Sequence, residues 1–188
     1  MPTPRTIRTI VLTGFMGAGK STIGPMLART LGWEFVDVDA VIEAQTGRSI
    51  AQIFAGLGEP AFRALEAEVI RDHVGQANLV LALGGGALEA ETSRALIRTH
   101  ASACLVFLDA PLDVLVTRCL EQPGAAERPV LADREGLQRR FSSRLPHYRE
   151  AHLTISTAGL TPDEVVLKIL GALARIGNVE QATRRMTI

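Results

Sequence analysis

The sequence predicts a three-layer α/β protein, with a five-stranded parallel sheet between two layers of helix. Three observations predict it. The apolar run Ile10-Val11-Leu12 leads into Gly14-Phe-Met-Gly-Ala-Gly-Lys-Ser-Thr22, and a helical stripe of Ile23, Met26, Leu27 and Leu31 follows at once. Strand-like and helix-like stretches then alternate along the chain. Residues 79–83 are apolar without a break, as expected of a parallel strand covered on both faces.

After a loose lead-in at residues 1–5, the first strand spans about 9–13. The stretch 14–22 fits G-x-x-x-x-G-K-[ST], a phosphate-binding loop. Glycines let successive N–H groups point at one anion, and the helix that follows opens with its free N–H groups and positive dipole end at the same place. Gly17, Ala18, Gly19 and Thr22 are the expected backbone contacts to ATP. Lys20 is expected to reach the β- and γ-phosphates, and the Ser21 hydroxyl to bind Mg²⁺. Pro25 calls for a distortion in the first turns of this helix, and Gly32 is its expected C-cap.

The second strand, 33–39, ends in Asp37 and Asp39, which share a face in extended chain at the end where open α/β sheets bind ligands. The alternative is that Asp39 only caps a helix over 40–45. A helix starting at Ser49 carries Ile50, Ile53 and Phe54 and breaks at Gly56 and Gly58, and a longer one over 59–74 carries Phe62, Leu65, Val69 and Ile70. Arg63 and Glu66 are spaced to pair, ordinarily as a solvated ion pair. The third strand, 79–83, runs into Gly84-Gly85-Gly86, which permits very close approach of a ligand to backbone.

The fourth strand, 102–109, ends in Asp109, which superficially resembles a Walker B acid. A helix over 111–120 carries Arg118. Residues 121–134, with Pro123, Gly124, Arg128 and Pro129, are irregular and read as a lid or an insert. A helix from about Glu135 carries Arg139, Arg140 and Arg144, and a short fifth strand covers 152–156. The last helix, about 161–176, opens Thr161-Pro162-Asp163-Glu164, a good N-terminus, and residues 178–188 read as a frayed tail.

A length of 188 residues suits one domain, 1–188, and the absence of formal net charge argues against a general nucleic-acid or membrane-surface binder. With no secretory leader and no long apolar span, a cytoplasmic protein is expected. Cys104 and Cys119 fall in apolar stretches and read as buried thiols, and the four histidines share no metal-ligand spacing.

Taken in order, these motifs resemble the shikimate kinase family, within the nucleoside-monophosphate-kinase-like group of P-loop proteins. The resemblance runs from about residue 10 to 170. It rests on residues 14–22, Asp37-Val-Asp39, Thr46-Gly-Arg-Ser-Ile50, Phe62-Arg63, the glycine triplet, Arg128-Pro129 and Arg144-Leu-Pro-His-Tyr148. It implies strand order 2-3-1-4-5, a P-loop kinase domain with a lid, and transfer of the ATP γ-phosphate to the 3-hydroxyl of shikimate, with Mg²⁺ as cofactor; a monomer is the separate expectation. It implies that Asp39 contacts the reacting hydroxyl and that Arg63 and Arg144 hold the substrate carboxylate. Gly85, flanked by Gly84 and Gly86, resembles a backbone contact to substrate, and Phe54 and Phe62 would line the pocket. By the same resemblance Arg128 reaches the ATP phosphates, Asp37 holds a Mg²⁺ water, and Arg118 and Pro162 sandwich the adenine. On the family's strand order Asp109 is set aside, the third strand being taken as the neighbour of the first.

The chain departs from the resemblance near the nucleotide. Residues 158–160 lack an arginine that some members carry, Ser156 stands where members often have an acid, and 122–127 does not align. Two rival readings remain: a related kinase acting on a sugar acid such as gluconate, and a non-catalytic sensing module on the same fold.

Overall fold

The centre of the protein is strand β2 (Thr9–Thr13), in which every residue is buried. A strand buried on both faces must be paired on both edges. Here β4 (Leu79–Ala82) lies on one side and β5 (Ala103–Asp109) on the other, both parallel to it. β3 (Glu34–Asp37) pairs with β4 and β6 (Leu153–Ser156) with β5, which completes a five-stranded sheet of order β3-β4-β2-β5-β6. This is the expected strand order. In the computed structural model, residues 5–121 and 133–179 are described.

Because every pairing in this sheet is parallel, all five strands end at one edge. The segments that leave that edge build the site. Helix α1 (Lys20–Leu31) packs on β3 and β4 and against α7 (Pro162–Ile176), while α3 (Ile50–His73) packs against α4 (Glu91–Thr99), which lies on β5. One aliphatic core, which includes the fully buried Cys104 and Cys119, runs between the layers. Gly32 ends α1 in the left-handed conformation, and Thr161 with Glu164 forms a capping box on α7, both as expected. Pro25 sits inside a continuous α1.

Several boundaries differ from expectation. Arg5, read as the end of the lead-in, opens strand β1 (Arg5–Ile7), which pairs with β7 (Gly177–Val179), so residues 178 and 179 belong to a strand rather than a tail. The second strand stops at Asp37, because the Asp37 carboxylate accepts the Asp39 N–H at 3.0 Å and thereby caps α2 (Val38–Thr46). Asp39 therefore stands in the first turn of a helix, not in extended chain. Gly56 is helical, and the break in α3 is at Gly58 alone (φ 79°, ψ 170°). The turn of 3₁₀ helix at Ala87–Glu89, with α4 after it, occupies a stretch to which the sequence reading assigned no element. β5 pairs directly with β2, so strand adjacency does not set Asp109 aside. Its backbone carbonyl accepts the Thr157 N–H at 2.8 Å, and the residue does not line the cavity described below.

Candidate active site

The phosphate-binding loop needs glycine at position 17 for two reasons. Its φ is 76°, and a Cβ there would run into the Leu115 carbonyl of α5 (Leu112–Leu120) and stand 3.0 Å from Cys119 Sγ. The loop is thus seated directly on α5. Gly19, at φ 95°, then opens α1 with no side-chain cap and no acid in its first turn, so its N–H groups and positive dipole end face the loop. Lys20 folds back over the loop and donates to the carbonyls of Gly14 at 2.7 Å and Phe15 at 3.2 Å. Burial lowers its pKa to about 8, against the opposing pull of Asp39 and then Asp37.

Asp37 is held from two sides, by the Asp39 N–H and by the Ser21 hydroxyl at 3.5 Å. A hydroxyl and a carboxylate are hard oxygen donors. Among the described residues no cluster of three or more Asp, Glu, His or Cys could hold a metal. That sparse donor set fits Mg²⁺, which keeps several waters and takes its other ligands from substrate phosphates. Asp39 leaves Oδ1 buried and without a hydrogen-bond partner. Its pKa is raised by burial first and by Asp37 second, with Lys20 pulling it down. At Gly84 a Cβ would lie 2.9 Å from that Oδ1 and 2.8 Å from Glu66 Oε1, so any side chain here would push both carboxylates aside.

Arg63 and Glu66 do pair, at 2.7 Å, but the pair is not solvated as the spacing suggested: Glu66 is fully buried. Burial raises its pKa, and the Arg63 charge opposes the rise. Arg63 also reaches Glu59 at 3.1 Å and Glu89 at 3.6 Å. From α6 (Arg134–Tyr148), Arg144 Nε donates to the same Glu89 carboxylate at 2.9 Å, and its guanidinium lies over the Phe15 ring, 5.9 Å from its centroid. A Cβ on Gly86 would collide with Arg63 Nη2 and stand 2.8 Å from Glu89 Oε2 and 3.0 Å from Arg144 Nη2. The two guanidinium groups therefore converge on one point above the triplet. The buried Tyr148, stacked on Phe107, donates its hydroxyl to the Gly85 carbonyl and anchors the triplet from below. Burial raises the phenol's pKa, which keeps it protonated as a donor.

A cavity of about 380 Å³ opens at this edge, lined by the phosphate loop, Lys20, Ser21, Asp37, Asp39, Gly84, Gly85 and Arg144. A second, of about 230 Å³, adjoins the loop and holds Arg118 and Pro162 together, with Arg118 fixed by the Thr157 carbonyl at 2.7 Å and hydroxyl at 2.9 Å. The rings of Phe54 and Phe62 lie 4.6 Å apart, tilted by 34°, and do not line the larger cavity. Arg128 lies outside the described residues. The sequence reading missed Glu89, and it gave Tyr148 no role of its own. Glu89 has no motif around it. Tyr148 closes a quoted motif, and a buried aromatic with a polar tip is the signal that marks it.

Comparisons with known proteins bear on the same constellation. The sequence profile described as "Shikimate kinase" matches residues 16–174. The shikimate kinase of Thermus thermophilus is 43% identical over 176 residues, covering 92% of this chain and 93% of that protein. That of Geobacter sulfurreducens is 43% identical over 172 residues, with 90% and 92% covered. Among solved structures, shikimate kinase from Acinetobacter baumannii in complex with shikimate superposes with a TM-score of 0.81 at 35% identity, over 91% of this chain and 95% of that one. A gluconokinase from Sinorhizobium meliloti, at 20% identity and a TM-score of 0.62, shares the fold. The profile covers most of the chain, including Lys20, the acids, the triplet and both arginines, and the chain belongs to the shikimate kinase family.

Proposed function

We propose that this protein transfers the γ-phosphate of ATP to the 3-hydroxyl of shikimate. One observation carries the reading: the phosphate loop with Lys20, the carboxylate of Asp39 and the guanidinium of Arg144 line the same cavity. An anion held by the loop and a hydroxy acid held by the arginine are then neighbours.

Phosphoryl transfer needs positioning and charge stabilisation more than covalent help. The loop N–H groups and the α1 N-terminus hold the β- and γ-phosphates. Lys20 leaves the Gly14 and Phe15 carbonyls for them, and a phosphate partner favours its charged form. Mg²⁺, when bound, neutralises charge on the phosphates, and Ser21 with Asp37 is the pair to hold it, Asp37 through water. Asp39, with a free buried oxygen beside Gly84, orients the hydroxyl and accepts its proton. Burial and the nearby Asp37 make that oxygen more basic, while Lys20 restrains the rise. Arg63 and Arg144 hold the carboxylate, and the Gly85 carbonyl is already taken by Tyr148, so its N–H is the group to meet substrate. Arg128 belongs to the phosphate end of this scheme. A coupled assay of ADP release with shikimate, gluconate and quinate tests the reading. Turnover with gluconate and none with shikimate would reject it.

Two further outcomes are expected. Arg144→Ala should raise KM for shikimate strongly, losing a desolvated charge partner of about 2–5 kcal/mol. KM for ATP should stay within a few-fold, and comparable damage to both constants removes the assignment. At the adenine end, Arg118 and Pro162 offer stacking surfaces, and the adjoining Leu160 offers no polar side chain to read a base edge. GTP and CTP should therefore be used with kcat/KM about tenfold below that of ATP, a difference of about 1.4 kcal/mol. Discrimination beyond a thousandfold in steady-state kinetics contradicts a stacking-only account.

A further inference from the structure

Two guanidinium groups here face three carboxylates. Arg63 is met by Glu66 at 2.7 Å, Glu59 at 3.1 Å and Glu89 at 3.6 Å, and Arg144 is met by Glu89 at 2.9 Å. A site meant for a carboxylate is thus already satisfied by carboxylates of the chain itself. Glu66 and Glu89 differ in kind. Glu66 is fully buried, has no route to water and stays as the permanent partner of Arg63. Glu89 is the only one of the three that bridges both arginines, and its side chain is 36% exposed.

We propose that Glu89 is a built-in competitor for the substrate carboxylate: it occupies the Arg63–Arg144 pair when the site is empty and must leave when shikimate binds. This rests on the reading of those two arginines given above. Three features make Glu89 suited to the task. Its Oε2 lies at the point above Gly86 where Arg63 Nη2 and Arg144 Nη2 converge, so a carboxylate bridging the arginines and Glu89 cannot both have that place. Its backbone is pinned, because Arg94 donates to the Leu88 carbonyl and to the Glu89 carbonyl at 3.1 Å. The side chain can therefore swing into water while the 3₁₀ turn and the glycine triplet stay where they are. And the bridge offsets the mutual repulsion of two guanidinium groups held close together, which keeps the empty pair aligned for the incoming anion.

The competitor sets the affinity for the acid substrate and should leave the nucleotide untouched. Glu89→Gln keeps the shape and removes the charge. Its KM for shikimate should fall by roughly twofold to fivefold, the scale of a half-exposed ion pair, with KM for ATP unmoved. Calorimetric titration of shikimate without nucleotide should tighten by the same factor. With the methyl ester of shikimate, which carries no negative charge, the variant should show no gain over the parent. A KM for shikimate that is unchanged or raised in Glu89→Gln means that Glu89 merely positions the arginines, and the proposal falls. An equal gain with the ester overturns it too. A parent enzyme that turns over no shikimate fails at the earlier step and takes both readings down, an outcome separate from normal turnover with an inert Glu89.

Discussion

Lys20→Met should lower kcat by at least about a hundredfold to a thousandfold, the cost of removing one preorganised charge from a transferring group. The thermal midpoint should not fall, because the side chain is half-buried, its burial as a charge is costly, and its two acceptors are loop carbonyls at the mouth of the site. A pH series adds a second readout. The folded-state pKa of Lys20 is about 8, below its ordinary 10.5. Between those values the unfolded chain carries the proton and the folded chain does not, so stability rises with pH across that window. Below pH 8 both states are protonated and the cost of burying the charge is fully present. Thermal melts should therefore show the parent gaining on the Met variant as pH climbs from 8 toward 10. Near-normal turnover in the variant would falsify the phosphate-loop assignment.

Asp39→Asn is expected to be as damaging, by a different route. The shape is kept, but the buried Oδ1 beside Gly84 loses its charge and its capacity to take a proton, at a cost of about 10²–10⁴ in kcat. ATP binding without shikimate, read by calorimetry, should survive. A secondary effect has a definite sign. Asp39 is the strongest of the charges that hold Lys20 protonated against burial. Without it the lysine should lose its proton at lower pH, and the alkaline limb of kcat/KM for ATP should move down. If instead ATP binding fails while shikimate still binds, Asp39 is the metal-side acid and its role has been exchanged with that of Asp37.

The parts of this site legible in the sequence are those whose chemistry is local. The phosphate loop needs its glycines, lysine and serine at fixed spacing, so residues 14–22 announce themselves, and the all-parallel sheet follows from alternating apolar runs. Asp37 and Asp39 were legible as a pair, but not in conformation. The decision between strand and helix at residue 38 turns on one side-chain hydrogen bond, from the Asp39 N–H to Asp37. Helix α4 escapes the sequence reading although it is strongly amphipathic, with Ile97 buried and Leu96 packed beside it, because the stripe is only about two turns long. With it went Glu89, whose meaning comes from two arginines on other elements. Glu66 shows the same limit. Its spacing to Arg63 is visible, while its burial depends on Gly84 and Asp39, which fold over it from elsewhere in the chain.

The small pairing of β1 with β7 joins Arg5 to Gly177 and Ile7 to Val179, so every other described element lies inside one long loop that it closes. It sits at the start of β2, the end of the sheet away from the phosphate loop. A two-stranded ribbon is marginal by itself and closes at an entropic cost that grows with the logarithm of the loop, but here Ile7 is fully buried in the core and Val179 packs against it, so the core itself fastens the ribbon. The protein thus resembles a purse whose drawstring is tied at the bottom: the knot is sunk into the core, and the mouth, at the phosphate-loop end, is the end left open.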